Sequence, residues 1–267
     1  MSSAYRRHAG RAPQDDRSQR HSARDGDMIP DEDRPDADMA RWLHVSYHHG
    51  RSCLSDADTG RYQMSKLYFT YGAMNCGKSA ALLQVANNYE ERGMTVIVAK
   101  PAVDTKGGDA VTSRLGVSRP VDVLIDAGDS VRDVVLPVAL AKRASCILVD
   151  EAQFLSEGQV DGLHEIAYDD GIPVMCYGIR TGYRGTGFPG SIRLLEVADE
   201  LRELRTICRC GKRATMNVRK VNGKPDFTDV GSQLAIDDGM TGAVYESVCP
   251  RCWHQAKMKW LRENEQN

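Results

Sequence analysis

The sequence predicts an α/β fold, a parallel sheet flanked by helices, with a small zinc-ribbon domain near its C-terminal end. Three observations carry this prediction. A glycine-rich turn separates a strand-like run from a helical one between residues 67 and 92. Four further short apolar runs follow, alternating with helical segments, and that alternation implies parallel strands covered on both faces. Two close cysteine pairs, Cys208/Cys210 and Cys249/Cys252, stand near the end of the chain.

The first strand is expected at Leu67–Tyr71 and the first helix from Lys78 to Arg92, where Leu82, Val85, Ala86 and Tyr89 recur at helical spacing before Gly93. Between them Gly72, Ala73, Met74, Asn75, Cys76, Gly77, Lys78 and Ser79 spell G-x-x-x-x-G-K-S. Glycines at these two places let successive backbone N–H groups turn inward onto phosphate oxygens, and the positive end of the following helix joins them. Lys78 is placed to reach the β- and γ-phosphates of a nucleoside triphosphate, and Ser79 to hold Mg²⁺. A Gly-rich turn alone can arise without function; strand, loop and helix in this order favour phosphate binding and a P-loop, RecA-like sheet.

"TVIVAK" (Thr95–Lys100) reads as a buried parallel strand, followed by a polar, glycine-bearing loop and a third strand at Val121–Asp126. Asp129 or Ser130 is expected to cap a helix toward Arg143 that Pro137 bends or divides. "CILVDEAQF" (Cys146–Phe154) and "PVMCYGI" (Pro173–Ile179) supply two more strands around a helix at Gln159–Tyr168. A strand ending in Asp150–Glu151 after a phosphate loop matches an acidic Mg²⁺ site. Carboxylates at a helix N-terminus would look the same, but two halves of one site in the right order favour the functional reading. Glu151 can then act as the base that takes the proton of a phosphoryl acceptor hydroxyl.

Composition bounds the rest. A net charge of −2 and a pI near 6.4 give no ground for a strongly electrostatic nucleic-acid binder, and no nucleic-acid partner is expected. No apolar run approaches the ~18 residues of a membrane span, so no membrane association is expected. Four cysteines in two close pairs, joined by a hairpin-like stretch, suit a tetrahedral structural Zn²⁺ in a reducing, cytoplasmic setting. His254 lies nearby as a bystander, and Cys146 and Cys176 read as small strand residues.

The domain expectation is a disordered extension over 1–63, a kinase-type body over 64–205, a zinc-binding domain over 206–256 and a tail over 257–267. Residues 1–63 hold ten arginines, no lysine, many aspartates and little apolar periodicity. Ordered sequence begins at Met64, which is expected to be an alternative start. His44, His48 and His49 read as solvated surface histidines.

Taken together, "KLYFTYGAMNCGKS", "KPAVDTKGG", "ILVDEAQF", "CYGIRTGYRGTGFPGS", "CRCGKRATMN" and "YESVCPRC" resemble the cellular, zinc-containing (type II) thymidine kinases of bacteria and animals, over about Met64 to Ala256. The resemblance implies transfer of the γ-phosphate of ATP to the 5′-hydroxyl of thymidine in pyrimidine nucleotide salvage, and leaves open whether deoxyuridine is also an acceptor. It makes Glu151 the proton acceptor and assigns phosphates and Mg²⁺ to Lys78, Ser79, Asp150, Gln153 and Asp104. Met74, Phe154, Tyr183 and Tyr245 correspond to the thymine pocket. The segment between the cysteine pairs corresponds to a lasso over the nucleoside. A homotetramer inhibited by the end-product triphosphate is also implied. Two departures stand out: Lys106 where the family has arginine, and "IDDGMTGAVY" where a Gly-Gly precedes the lasso tyrosine. Two rival readings were weighed. A helicase-like ATPase needs a second core and a basic stripe, for which the chain has neither length nor charge. A noncatalytic zinc-ribbon module conflicts with an intact Lys78, Ser79, Asp150 and Glu151 set.

Overall fold

The computed structural model describes residues 65–104, 108–229 and 242–264. The expectations for 1–63, a start at Met64, Lys106 and most of "IDDGMTGAVY" lie outside these residues. Six strands form the main sheet: β1 (Leu67–Tyr71), β2 (Val96–Pro101), β5 (Val123–Ile125), β6 (Cys146–Val149), β7 (Val174–Gly178) and β8 (Glu200–Glu203). Their spatial order is β5-β2-β6-β7-β1-β8, and every neighbouring pair is parallel. All six residues of β2, all four of β6 and all five of β7 are buried. Continuous apolar runs rather than alternating ones are what a sheet covered on both faces requires.

The helices are α1 (Lys78–Glu90), α2 (Val131–Val134), α3 (Leu136–Ala141), α4 (Glu157–Asp169) and α5 (Pro189–Val197), with a 3-10 turn at Ala152–Phe154. Helix α1 buries Leu82, Val85, Ala86 and Tyr89. The expected helix from Asp129 or Ser130 is divided between α2 and α3 just before Pro137, whose ring has no N–H for an intrahelical bond. Ser130 occupies the cap position of α2 without a side-chain bond, and Asp129 Oδ2 accepts instead from the Asp126 N–H at 2.8 Å. Helix α4 starts two residues before the expected Gln159, because Ser156 and Gln159 form a reciprocal capping box.

Three elements differ from the sequence expectation. The polar loop after β2 contains an antiparallel hairpin, β3 (Ala110–Thr112) and β4 (Ser118–Pro120). Strand β8, "ELRE", is too charged to read as a strand; as an edge strand it pairs only with β1 and leaves one side to solvent. Helix α6 (Pro250–Asn264) carries Cys252 and continues past residue 256, where a tail was expected, through to 264.

The cysteine-bearing segment forms β9 (Thr206–Ile207) with β10 (Arg213–Ala214), and β11 (Met216–Val221) between β12 (Lys224–Pro225) and β13 (Ala243–Val248). Its small core joins Ala214, Val218, Phe227 and Val248 to Cys208 and Cys249. Tyr183, from the loop after β7, is buried in that same core, and its hydroxyl donates to the Thr228 carbonyl at 2.6 Å.

Because all six main strands are parallel, the segments after β1, β2, β6 and β7 leave from one edge of the sheet. That edge is where open α/β sheets bind ligands. Gly190 opens α5 against this edge: a Cβ there would lie 2.6 Å from the Leu155 carbonyl oxygen and 2.7 Å from that of Ala152. Gly190→Ala is therefore expected to destabilise the protein by about 1–3 kcal/mol. Gly128→Ala, where a Cβ meets nothing within 4 Å, should be close to neutral. Urea unfolding of the two variants checks this, and equal midpoints would contradict it.

Candidate active site

A cavity of about 390 Å³ opens at the C-terminal edge of the sheet. Met74, Asn75, Cys76, Gly77, Lys78 and Ser79 form one wall, and Glu151, Gln153 and Phe154 another; Asp104, Tyr183 and Tyr245 also line it. Gly72, Ala73 and Asp150 lie behind this lining. The Gly72 N–H donates to the Gly178 carbonyl at 3.3 Å, and a Cβ on Gly72 would sit 2.5 Å from Cys76 Sγ and 2.7 Å from the Leu204 carbonyl oxygen. Glycine is thus required there by close approach. At Gly77 it is required by the backbone, which turns left-handed at φ 89° to start α1.

Lys78 is buried, and its ammonium donates to the Ala73 carbonyl at 3.1 Å, folding the side chain back across the loop. Ser79 Oγ donates to Asp150 Oδ2 at 3.0 Å. This bond links the loop after β1 to the end of β6, two strands away in the sheet. Asp150 is buried, and its other oxygen, Oδ1, has no hydrogen-bond partner among the described residues. Burial, reinforced by the neighbouring Glu151 charge and opposed by the Ser79 hydroxyl, pushes the Asp150 carboxyl up to about 7. An unsatisfied acidic oxygen next to a serine hydroxyl fits a hard divalent cation with oxygen ligands.

Glu151 sits in the left-handed region at φ 48° and ψ 36°, a conformation that costs a non-glycine residue about 1–3 kcal/mol. The turn aims its side chain into the cavity. Gln153 holds it there: Nε2 donates to Glu151 Oε2 at 2.5 Å, while Oε1 accepts from the Ile179 N–H at 3.1 Å. Space for Gln153 depends on Gly178, where a Cβ would lie 2.7 Å from Gln153 Oε1. Asp104 accepts from Lys100 Nζ at 3.1 Å, and both groups are buried at the end of β2. Phe154 meets Phe188 edge to face at 5.7 Å, and Tyr183 meets Tyr245 at 6.3 Å, so aromatic rings wall the cavity on two sides.

Several lining residues carried no sequence signal of their own. Ser113, Arg114 and Leu115 reach the cavity from the turn of the β3–β4 hairpin, whose polar composition looked like a simple loop. Phe188 lies in the "CYGIRTGYRGTGFPGS" run and Asn217 ends "CRCGKRATMN", but no spacing or motif chemistry marks either as a lining residue.

The cysteine pairs converge as expected. The sulfurs of Cys208, Cys210, Cys249 and Cys252 lie within 4.8 Å of one another. Cys210 Sγ is 3.5 Å from Cys208 Sγ and 3.6 Å from Cys249 Sγ, against about 3.8 Å for thiolates around a tetrahedral zinc. The Cys252 N–H points at Cys249 Sγ and lowers its thiol pKa, which favours the metal-binding thiolate. The four could hold zinc. His254 is exposed and stands outside the cluster. Cys146 and Cys176 are buried strand residues, and burial raises both thiols. No helix among the described residues is long and apolar enough to cross a membrane.

Residues 65–258 match the family model described as thymidine kinase. Relatives of that name include those of Idiomarina loihiensis, 46% identical over 194 residues (72% of this chain, 98% of the relative), and Rhizobium meliloti, 45% identical over 193 residues (71% and 96%). The thymidine kinase of Enterobacteria phage T4 is 42% identical over 199 residues, which is 73% of this chain and 99% of the phage protein.

The raised Asp150 pKa fixes a sign. Between 3.8 and about 7 the unfolded state is the more ionised, so this group's contribution to stability falls as pH rises through that window, and its full cost is present above pH 7. Asp150→Asn removes the buried charge. Without divalent cations its melting temperature at pH 8 is expected to exceed the wild type's by at least about 2–4 °C, the shift that each 1 kcal/mol produces in a protein of this size. The advantage should vanish below pH 4. A lower melting temperature for the variant at pH 8 would contradict the assignment.

Proposed function

The chain belongs to the thymidine kinase family, transferring phosphate from ATP to thymidine in nucleotide salvage, and from that premise we propose how its residues divide the work. The observation that carries the proposal is the joining of a phosphate loop, a buried Asp150 and a strained Glu151 in one cavity.

The N–H groups of the loop through Gly77 and the ammonium of Lys78 take the β- and γ-phosphates, with Lys78 leaving the Ala73 carbonyl for them. Ser79 and Asp150 would hold Mg²⁺, which when bound offsets the charge of the phosphates. Asp104, tied to Lys100, and Gln153 shape the same wall. Thymidine lies between the Phe154 and the Tyr183/Tyr245 sides of the cavity, with Met74 beneath. Its 5′-hydroxyl gives its proton to the Glu151 carboxylate as the new O–P bond forms and the bond from the γ-phosphorus to the bridging oxygen breaks, leaving ADP. Gln153, donating to Glu151 Oε2, orients the carboxylate for this transfer.

Cys208, Cys210, Cys249 and Cys252 would hold a structural Zn²⁺ with all four ligands from the protein, so the metal would have no catalytic place. Family membership supports a homotetramer in the cytoplasm. Deoxyuridine is proposed as a second acceptor, since it differs from thymidine only by a methyl group.

Glu151→Gln tests the base. Removing general-base catalysis typically costs about 10²–10⁴-fold, so thymidine phosphorylation should fall in that range while ATP binds with unchanged affinity. Turnover equal to wild type would remove Glu151 from the role.

A further inference from the structure

The main chain of Met74, inside the phosphate loop, is bonded to the cysteine-bearing sheet rather than to its own domain. The Met74 N–H donates to Asn217 Oδ1 at 2.8 Å, and Ser247 Oγ donates to the Met74 carbonyl. Asn217 and Ser247 face each other across β11 and β13, paired in register, so one rung of that sheet grips both polar groups of one loop residue. Asn217 is 2% exposed, and its Nδ2 donates onward to the Thr181 carbonyl at 3.2 Å. A buried amide in a strand is costly unless satisfied, and this one is satisfied by two other segments. Those segments are the phosphate loop and the loop after β7 that continues into Tyr183.

Asn217 thus sets the spacing between the loop that holds the donor and the loop that carries Tyr183. The Met74 N–H is also taken, so the inward-turned donors of the phosphate loop begin at Asn75. Two residues beyond Ser247 is Cys249, whose sulfur belongs to the four-cysteine cluster. The cluster's end of β13 is therefore the same end that holds Met74.

We infer that Asn217, with Ser247, is a positioning residue for phosphoryl transfer: the cysteine-bearing sheet holds the phosphate loop in its reactive placement through the backbone of Met74. The inference rests on the thymidine kinase reading of the same site. Loss of the grip shifts the γ-phosphate relative to the 5′-hydroxyl without removing Lys78, Ser79 or the remaining loop donors. Misplacement by about 1 Å costs on the order of 10²-fold in rate, so the effect belongs in kcat.

The test uses full-length Asn217→Ala and Ser247→Ala beside the wild type. For each, kcat and KM for ATP and thymidine are measured, together with melting temperature, zinc per chain and the calorimetric Kd for ATP. The expected result is a kcat lower by about 10–100-fold for Asn217→Ala and lower by at least threefold for Ser247→Ala. Both KM values and the ATP Kd should stay within about threefold of wild type. A residue that only supports folding would lower the melting temperature and the folded fraction, leaving kcat per folded molecule unchanged. Because both residues act on Met74, the double variant should cost less than the product of the single effects. Wild-type kcat in folded Asn217→Ala overturns the inference. If Asn217→Ala does not fold, wild-type kcat in Ser247→Ala overturns it. A wild-type chain that binds ATP but leaves thymidine unphosphorylated fails the family reading instead, which separates the two failures.

Discussion

The bond between Ser79 and the buried Asp150 is the constraint around which the molecule is arranged. It ties the phosphate loop to the end of β6, and it exists only because β1 and β6 are parallel and end on the same edge of the sheet. A buried carboxylate there, with one oxygen unpartnered among the described residues, opposes folding as long as it carries a charge. The core of Leu67, Phe69, Ile97, Ile147 and Val149 offsets that cost, each fully buried apolar side chain contributing about 1.5–3 kcal/mol over exposure. The same unsatisfied oxygen beside the Ser79 hydroxyl is chemistry that fits a divalent cation.

A second consequence follows one residue later. Glu151 takes a left-handed backbone because the chain must turn at once from β6 into the 3-10 segment beneath Gly190. Gln153 then spans from that carboxylate to the Ile179 N–H, so Glu151 and the loop after β7 are held by a single amide. The cysteine-bearing sheet reaches the same edge from the other side through Asn217, Ser247 and the buried Tyr183. The four thiols keep the ends of β9 and β13 together far from any large core. In so small a body, Phe227 packs on Trp253 and Trp260, and the four clustered thiols could add a zinc tie to that packing.

Legibility in the sequence followed how local each cause was. The phosphate loop, the Asp150–Glu151 step and the cysteine pairs are short motifs whose chemistry demands fixed residues at fixed spacing, and the structure brings them together. Buried strands β2, β6 and β7 were legible as continuous apolar runs, and β1 as a β-prone aromatic and aliphatic stretch. Edge strand β8 was not, since "ELRE" pairs on one side only and its charged side chains suit solvent. The β3–β4 hairpin was hidden for a like reason: three-residue strands have no periodicity to read. Asn217 was invisible as a site residue because its significance lies in contacts 143 and 36 residues away, with Met74 and Thr181. No spacing rule encodes those distances.

The most direct test of the account is transfer of phosphate from ATP and Mg²⁺ to a panel of thymidine, deoxyuridine, deoxycytidine and deoxyguanosine, using protein begun at Met64. Thymidine should give its monophosphate, and deoxycytidine and deoxyguanosine none. ATP hydrolysis with no nucleoside monophosphate from any member of the panel would contradict it.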